Sequence, residues 1–198
     1  MNLIERVKNM LTTPKTEWLV VASETPDSTK IVTGYVLPLA IAGAIAAFIG
    51  YGLIGYNVLG VRFSGMNWGL HYALVMLVQI IVSIYVTALV VDALAPSFAS
   101  EKNMGRSVQL VAYGSTPSLV AGLFNILPLL AGIVGLVAAV YGVYLFYLGL
   151  TPIKKTPEDK RVAYLVVCII VLIVVYIILG LILARILYPV FGVGYPGL

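Results

Sequence analysis

Charge is what this chain has least of. Only 10% of its 198 residues are charged, where a soluble domain carries about 25%. No charged residue lies between Lys30 and Arg62, between Arg62 and Asp92, between Arg106 and Lys154, or between Arg161 and Arg185. At 61% hydrophobic, the chain cannot cover itself with polar surface, which excludes a soluble globular domain and makes lipid its solvent. Cysteine occurs once, as Cys168 in the run VVCIIV. That excludes an intramolecular disulfide and reads as apolar packing. Histidine also occurs once, as His71, too few for a histidine-rich metal site. GxSxG and HExxH are absent, so neither a serine-hydrolase elbow nor a zincin helix is present. GYGLIG at 50–55 has no strand before it and belongs to a membrane span. The expectation is a protein that is not an enzyme and holds no cofactor or metal.

What is present is organised by the charge-free gaps. A crossing helix needs about 20 apolar residues. Three gaps hold one span each, near 36–59, 69–94 and 162–187. The gap at 107–153 is too long for one crossing and suits two, 107–124 and 128–150. Asn125 favours the turn between them, and Pro128 suits the first turn of the next helix. With the N-terminus cytoplasmic, ten of the twelve basic residues fall inside: Arg6, Lys8, Lys15, Lys30, Lys102, Arg106, Lys154, Lys155, Lys160 and Arg161. Only Arg62 and Arg185 fall outside, as the positive-inside rule asks. Trp18 and Tyr164 suit the inner interface; Tyr56, Trp68, Tyr72 and Tyr188 suit the outer one, past which Arg185 can snorkel. The fold class is therefore all-α: a polytopic bundle of five transmembrane helices, N-terminus cytoplasmic and C-terminus outside. No secretory leader precedes the first span, which is expected to direct insertion and stay. The net charge of +4 points to anionic lipid headgroups on the cytoplasmic side rather than to nucleic acid.

Residues 1–35 read as a cytoplasmic interfacial segment, with 36–198 as the membrane domain. NLIERVKNML spaces Leu3, Ile4, Val7, Met10 and Leu11 as one helical face, with Glu5, Arg6 and Lys8 opposite. Thr13 and Pro14 suit the cap and first position of a second short helix carrying Trp18. SETPDSTK is a polar linker, and YPVFGVGYPGL an irregular outer tail.

Inside the membrane, Gly135, Gly142 and Gly149 recur seven apart, and Ala42, Ala46 and Gly50 four apart. Such ridges allow close helix approach, within the chain or in a homo-oligomer. Tyr141, Tyr144 and Tyr147 form a stripe that reads as packing. Gln79, Ser83 and Thr87 form a polar stripe at the depth of Ser115 and Thr116, and the two sets are expected to face each other. Pro117 should kink span three and free the Tyr113 carbonyl for Ser115, Thr116 or water, while Gly114 admits a neighbour at the bend. This patch is either interhelical glue or a pocket for a headgroup, small solute or ion. Asp92 lies near the inner end of span two, where it could pair with Lys102 or Arg106, or stand in water.

Residues 108–150, VQLVAYGSTPSLVAGLFNILPLLAGIVGLVAAVYGVYLFYLGL, resemble the Yip domain of the Ypt/Rab-interacting protein family. They share its Y-x-x-x-P element, Pro-containing turn and span ending in YLGL. TPKTEW resembles the family's small prokaryotic members. The resemblance implies five spans and a cytoplasmic N-terminus. The family's eukaryotic members bind small GTPases through long N-terminal regions. With only about 35 residues there and no DLYGP element, this chain is not expected to bind one. The resemblance implies a prokaryotic plasma- or inner-membrane protein. The leading functional expectation is a lipid-interacting, membrane-organising scaffold, with a homo-oligomer as a further expected assembly. The alternative is a small-solute or ion transporter using the mid-membrane patch.

Overall fold

The computed structural model describes residues 2–191. Two short helices, α1 (Leu3–Thr12) and α2 (Pro14–Ser23), precede a long rod at Ser28–Ile54. The rod begins as α3 (Ser28–Ile31), passes through a π-helical segment at Val32–Val36 into α4 (Leu37–Ala47), and ends in a second π segment at Phe48–Ile54. A β-hairpin follows, β1 (Tyr56–Val58) paired antiparallel with β2 (Val61–Phe63). Its turn takes Leu59 at φ 49° and Gly60 at φ 84°, and the second of these positive values suits glycine. Then come α5 (Met66–Leu94), α6 (Met104–Gly114), α7 (Thr116–Ala121), α8 (Pro128–Lys154) and α9 (Glu158–Phe191).

Among the described residues four helices are long and apolar enough to cross a membrane: Ser28–Ile54, Met66–Phe98, Pro128–Lys154 and Glu158–Ile178. The molecule is an all-α polytopic membrane bundle. Its outward faces carry the residues lipid requires, for example Leu74 and Leu89 on α5, Ile133 and Val140 on α8, and Val166 and Ile173 on α9, all exposed. The segment expected as span three is two helices rather than one, broken at Ser115 (φ −80°, ψ 0°) and ending in a 3-10 turn at Gly122–Ile126.

Three contacts show where that segment runs. Tyr113 meets Tyr35 edge-on at 4.8 Å. A Cβ on Gly43 would lie 3.5 Å from the Gly122 backbone, and one on Gly50 would collide with the Asn125 carbonyl. The segment thus rises beside the rod residue for residue. α8 then returns antiparallel: a Cβ on Gly142 would lie 3.4 Å from the Gly114 carbonyl, and one on Gly149 would collide with Leu110. Out and back, 104–154 closes on one end of the bundle.

That end also receives the N-terminus. α1 and α2 form a helical hairpin standing against α8, not a helix lying free on a surface. The Tyr141 hydroxyl donates to the Leu11 carbonyl at 2.8 Å, while the Trp18 ring packs over Gly149, a side chain on which would meet it at 2.9 Å. The hairpin tip therefore sits about 20 Å along α8 from Lys154, at 1.5 Å per residue. Met10, Trp18 and Val21 are fully buried in the main core. The apolar face expected to meet the membrane surface is divided between bundle and exterior: Met10 is fully buried and Ile4 is 72% exposed, while Arg6, placed on the polar face, is 3% exposed. The bundle, not the helix's own periodicity, decides which side is inward. The helical rod begins at Ser28, eight residues ahead of the expected start of span one. The irregular-tail reading falls largely on residues 192–198, and the readings of Arg185 and Tyr188 concern side chains; these lie outside what is described.

Candidate functional site

Two polar clusters and two cavities carry the chemistry of the bundle. The first cluster centres on Arg6. Its guanidinium donates to Glu17 at 2.7 Å and to Glu24, and lies 5.0 Å from the Tyr113 ring centroid. Asn9 holds the second oxygen of Glu17 at 3.1 Å. Glu17 itself is 5% exposed, so Arg6 supplies the hydrogen bonds and charge that its burial demands. Arg106 extends the cluster, donating to the Glu24 carbonyl at 3.0 Å and to Gln109 at 2.9 Å, and Gln109 donates onward to the Val21 carbonyl at 3.1 Å. These bonds fasten the hairpin and linker onto α6. Beside them opens a cavity of about 500 Å³ whose walls include Arg6, Glu24, Asp27, Lys30, Tyr35 and Tyr113.

The second cluster holds Asp92. Its expected partners were Lys102 or Arg106; its partner is Lys154, at 3.0 Å and fully buried. Ser107 donates to the same carboxylate oxygen at 3.0 Å and accepts from Lys154 at 2.7 Å. The Asn103 amide donates to it at 2.7 Å. Lys102 is exposed and Arg106 is committed to Glu24 and Gln109. No local pattern singles out Lys154 as the buried member of the adjacent Lys154–Lys155 pair. The pairing follows from α8 ending where α5 and α6 meet. Lys155, at the left-handed φ of 52° that terminates α8, instead reaches Glu101 at 2.8 Å. That hydrogen bond holds the Glu101 carboxyl below its usual range.

The mid-membrane residues part company. Thr116 turns toward the rod: its hydroxyl lies 2.7 Å from that of Tyr35 and donates to the Tyr113 carbonyl at 2.5 Å. The carbonyl left over by Pro117 is thereby satisfied within the turn. Thr87 faces α9, with its hydroxyl 2.5 Å from that of Tyr176, which also donates to the Ser83 carbonyl at 3.3 Å. Ser83 donates to its own helix at Ile80, and Gln79 is exposed. Thr87 and Ser115 still share one cavity, of about 240 Å³, with Gly114, Gly142, Phe146 and Cys168. Asn125 donates to the Gly122 carbonyl at 2.8 Å, closing the turn before Pro128 opens α8. Of the glycine ridge, Gly142 and Gly149 meet α6 and α2, and a Cβ on Gly135 would meet nothing within 4 Å. Tyr56, Trp68 and Tyr72 gather at the far end with Tyr51 and Phe63, in ring contacts of 4.1 to 5.6 Å.

This order of elements, with a Pro-broken helix rising beside the first rod and a glycine-rich helix returning, can be set against known proteins. The Yip1 domain matches residues 8–182. The chain belongs to the Yip1 domain family. The match starts within α1, so the N-terminal hairpin is largely part of the family domain. Similar proteins include the inner membrane protein YohC of Escherichia coli strain K12 and its namesake in E. coli O6:H1. Each is 26% identical over 165 residues, covering 81% of this chain and 85% of the relative. No solved structure matches. With its apolar helices, this Yip1-family chain is a multi-pass inner-membrane protein.

Proposed function

We propose that this Yip1-family chain is a non-enzymatic, lipid-interacting protein that organises its membrane, working through the N-terminal hairpin and the basic end of the bundle. In this reading the chain crosses five times, the N-terminus is cytoplasmic, and anionic headgroups are the partners. One observation supports it most. The hairpin is clamped to the bundle through Arg6, Met10 and Trp18, yet it leaves Ile4, Leu19 and Val20 exposed at 72%, 66% and 42% beside exposed Lys8 and Lys15. Apolar side chains flanked by lysines are what an anionic lipid interface takes up.

The test uses the full-length protein reconstituted in phosphatidylcholine vesicles with and without phosphatidylglycerol. Anionic lipid should raise the unfolding temperature and bring labelled copies together, read by energy transfer. The Lys8→Glu/Lys15→Glu double variant should lose both responses, because only exposed charge is reversed. Equal behaviour of wild type and variant in the two lipids would remove the proposal. The transporter reading rests on the 240 Å³ cavity shared by Thr87 and Ser115. No Asp, Glu, Lys or Arg lines it among the described residues, where ion pathways carry such groups.

A further inference from the structure

The 500 Å³ cavity at the basic end is walled by charge of both signs. Arg6 comes from α1, Glu24 and Asp27 from the linker, and Lys30 from α3; Tyr35 and Tyr113 stand deeper. We propose that it is a binding site for an amine–phosphate zwitterion, the headgroup chemistry of an ethanolamine phospholipid.

Arg6 spends its guanidinium on Glu17 and Glu24. Asp27 uses one oxygen, Oδ1, to cap α3 at the Lys30 amide, 2.9 Å away. Its second oxygen, the second oxygen of the partly exposed Glu24 (the first being held by Arg6) and the Lys30 ammonium remain for a ligand. A simple anion would meet Lys30 but also two carboxylates; a simple cation would meet the carboxylates but also Lys30 and Arg6. A ligand carrying both charges a few bonds apart satisfies both sets. A primary ammonium has three donors for the carboxylates; a trimethylammonium has none. The Tyr113 hydroxyl makes no hydrogen bond to another described residue and is available for a phosphate oxygen.

Depth agrees. The linker residues precede the rod, whose large exposed apolar side chains begin only at Ile41. The cavity thus lies at the headgroup level of the basic end, while Tyr35 and Tyr113 reach toward the hydrocarbon. This site does not depend on the surface attraction proposed for Lys8 and Lys15.

The experiment is native mass spectrometry of the full-length protein in detergent. It is titrated with short-chain phosphatidylethanolamine, phosphatidylglycerol or phosphatidylcholine, and separately with soluble O-phosphoethanolamine. Phosphatidylethanolamine should be retained about fivefold over the other two, the scale of one partly exposed charge contact. Asp27→Asn keeps the helix cap and should erase the preference over phosphatidylglycerol. Lys30→Gln should weaken retention of every phosphate-bearing ligand. Displacement by O-phosphoethanolamine would show that the headgroup alone suffices; retained preference without displacement would assign the site to the membrane lipid. The Lys8→Glu/Lys15→Glu variant should keep the preference, which separates this site from the surface reading. Equal retention of the three lipids, or an unchanged preference in Asp27→Asn with native circular dichroism, would overturn the proposal.

Discussion

Lys154 Nζ lies 3.0 Å from Asp92 Oδ1 across 62 residues of sequence, and its side chain is fully buried. The pair ties the end of α8 to the end of α5, and Ser107 ties both to α6. In such a site the pair's net worth is small, but stripping one partner leaves a charge without compensation. Lys154→Met should therefore lower stability by about 3–5 kcal/mol, read as thermal unfolding in detergent. Adding Asp92→Asn should recover part of that loss, whereas Lys155→Met should cost far less, its side chain being 77% exposed. Equal effects of Lys154→Met and Lys155→Met would contradict the pairing.

The Thr116 hydroxyl serves two partners, and Tyr35 one of them. Tyr35→Phe should cost about 0.5–1 kcal/mol, as interhelical hydrogen bonds in membranes do. Thr116→Val should cost more, because it also strands the Tyr113 carbonyl beside Pro117. Chemical-denaturation midpoints of the two variants check the order.

Glycine positions on α8 differ in kind. Gly149→Leu should displace Trp18 and Leu110, loosening α2 from the bundle and exposing the hairpin to limited proteolysis. A Cβ at Gly135 would meet nothing within 4 Å, so Gly135→Leu should leave the monomer stable. Cross-linking would show whether it alters self-association.

The Glu101–Lys155 contact gives a pH effect with a definite sign. Its carboxyl is held below the ordinary 4.5, so it stabilises the fold above that pH and loses the contribution as pH falls below it. Partial exposure keeps the effect small. Thermal unfolding across pH 3 to 6 should be slightly less steep in Glu101→Gln than in the parent.

Single cysteines at positions 8 and 155 should react with a membrane-impermeant maleimide from the same side, and a cysteine at position 62 from the other. Cys168 is buried and needs no removal. Labelling of 8 and 155 from opposite sides would break the proposed topology.

Much of this architecture was legible in the order of the residues. The charge-free gaps mark α5, α8 and α9 within about four residues, because a helix in lipid must satisfy its backbone internally and expose only apolar side chains; the first rod, at Ser28–Ile54, starts eight residues earlier and ends before the hairpin that the expected span 36–59 overran. Asn125 and Pro128 mark the turn into α8, and Pro117 the break at Ser115. Less legible were the two π segments of the rod, which shift the register that a 3.6-residue period assumes, and the inward turn of Arg6. The partners of the polar residues were not legible either: Thr87 is bonded to Tyr176 and Thr116 to Tyr35, while Thr87 and Ser115 share a cavity.

Composition and charge spacing alone determine that this is a membrane bundle with its lysines and arginines gathered toward one end, since the cost of placing charge in hydrocarbon applies wherever the chain goes. Which basic residues are buried, and against which acids, was decided only by packing. The free energy of a buried cation depends on the carboxylate and hydroxyls delivered to it by distant helices, and nothing in the residues beside Lys154 or Arg6 records where those helices end.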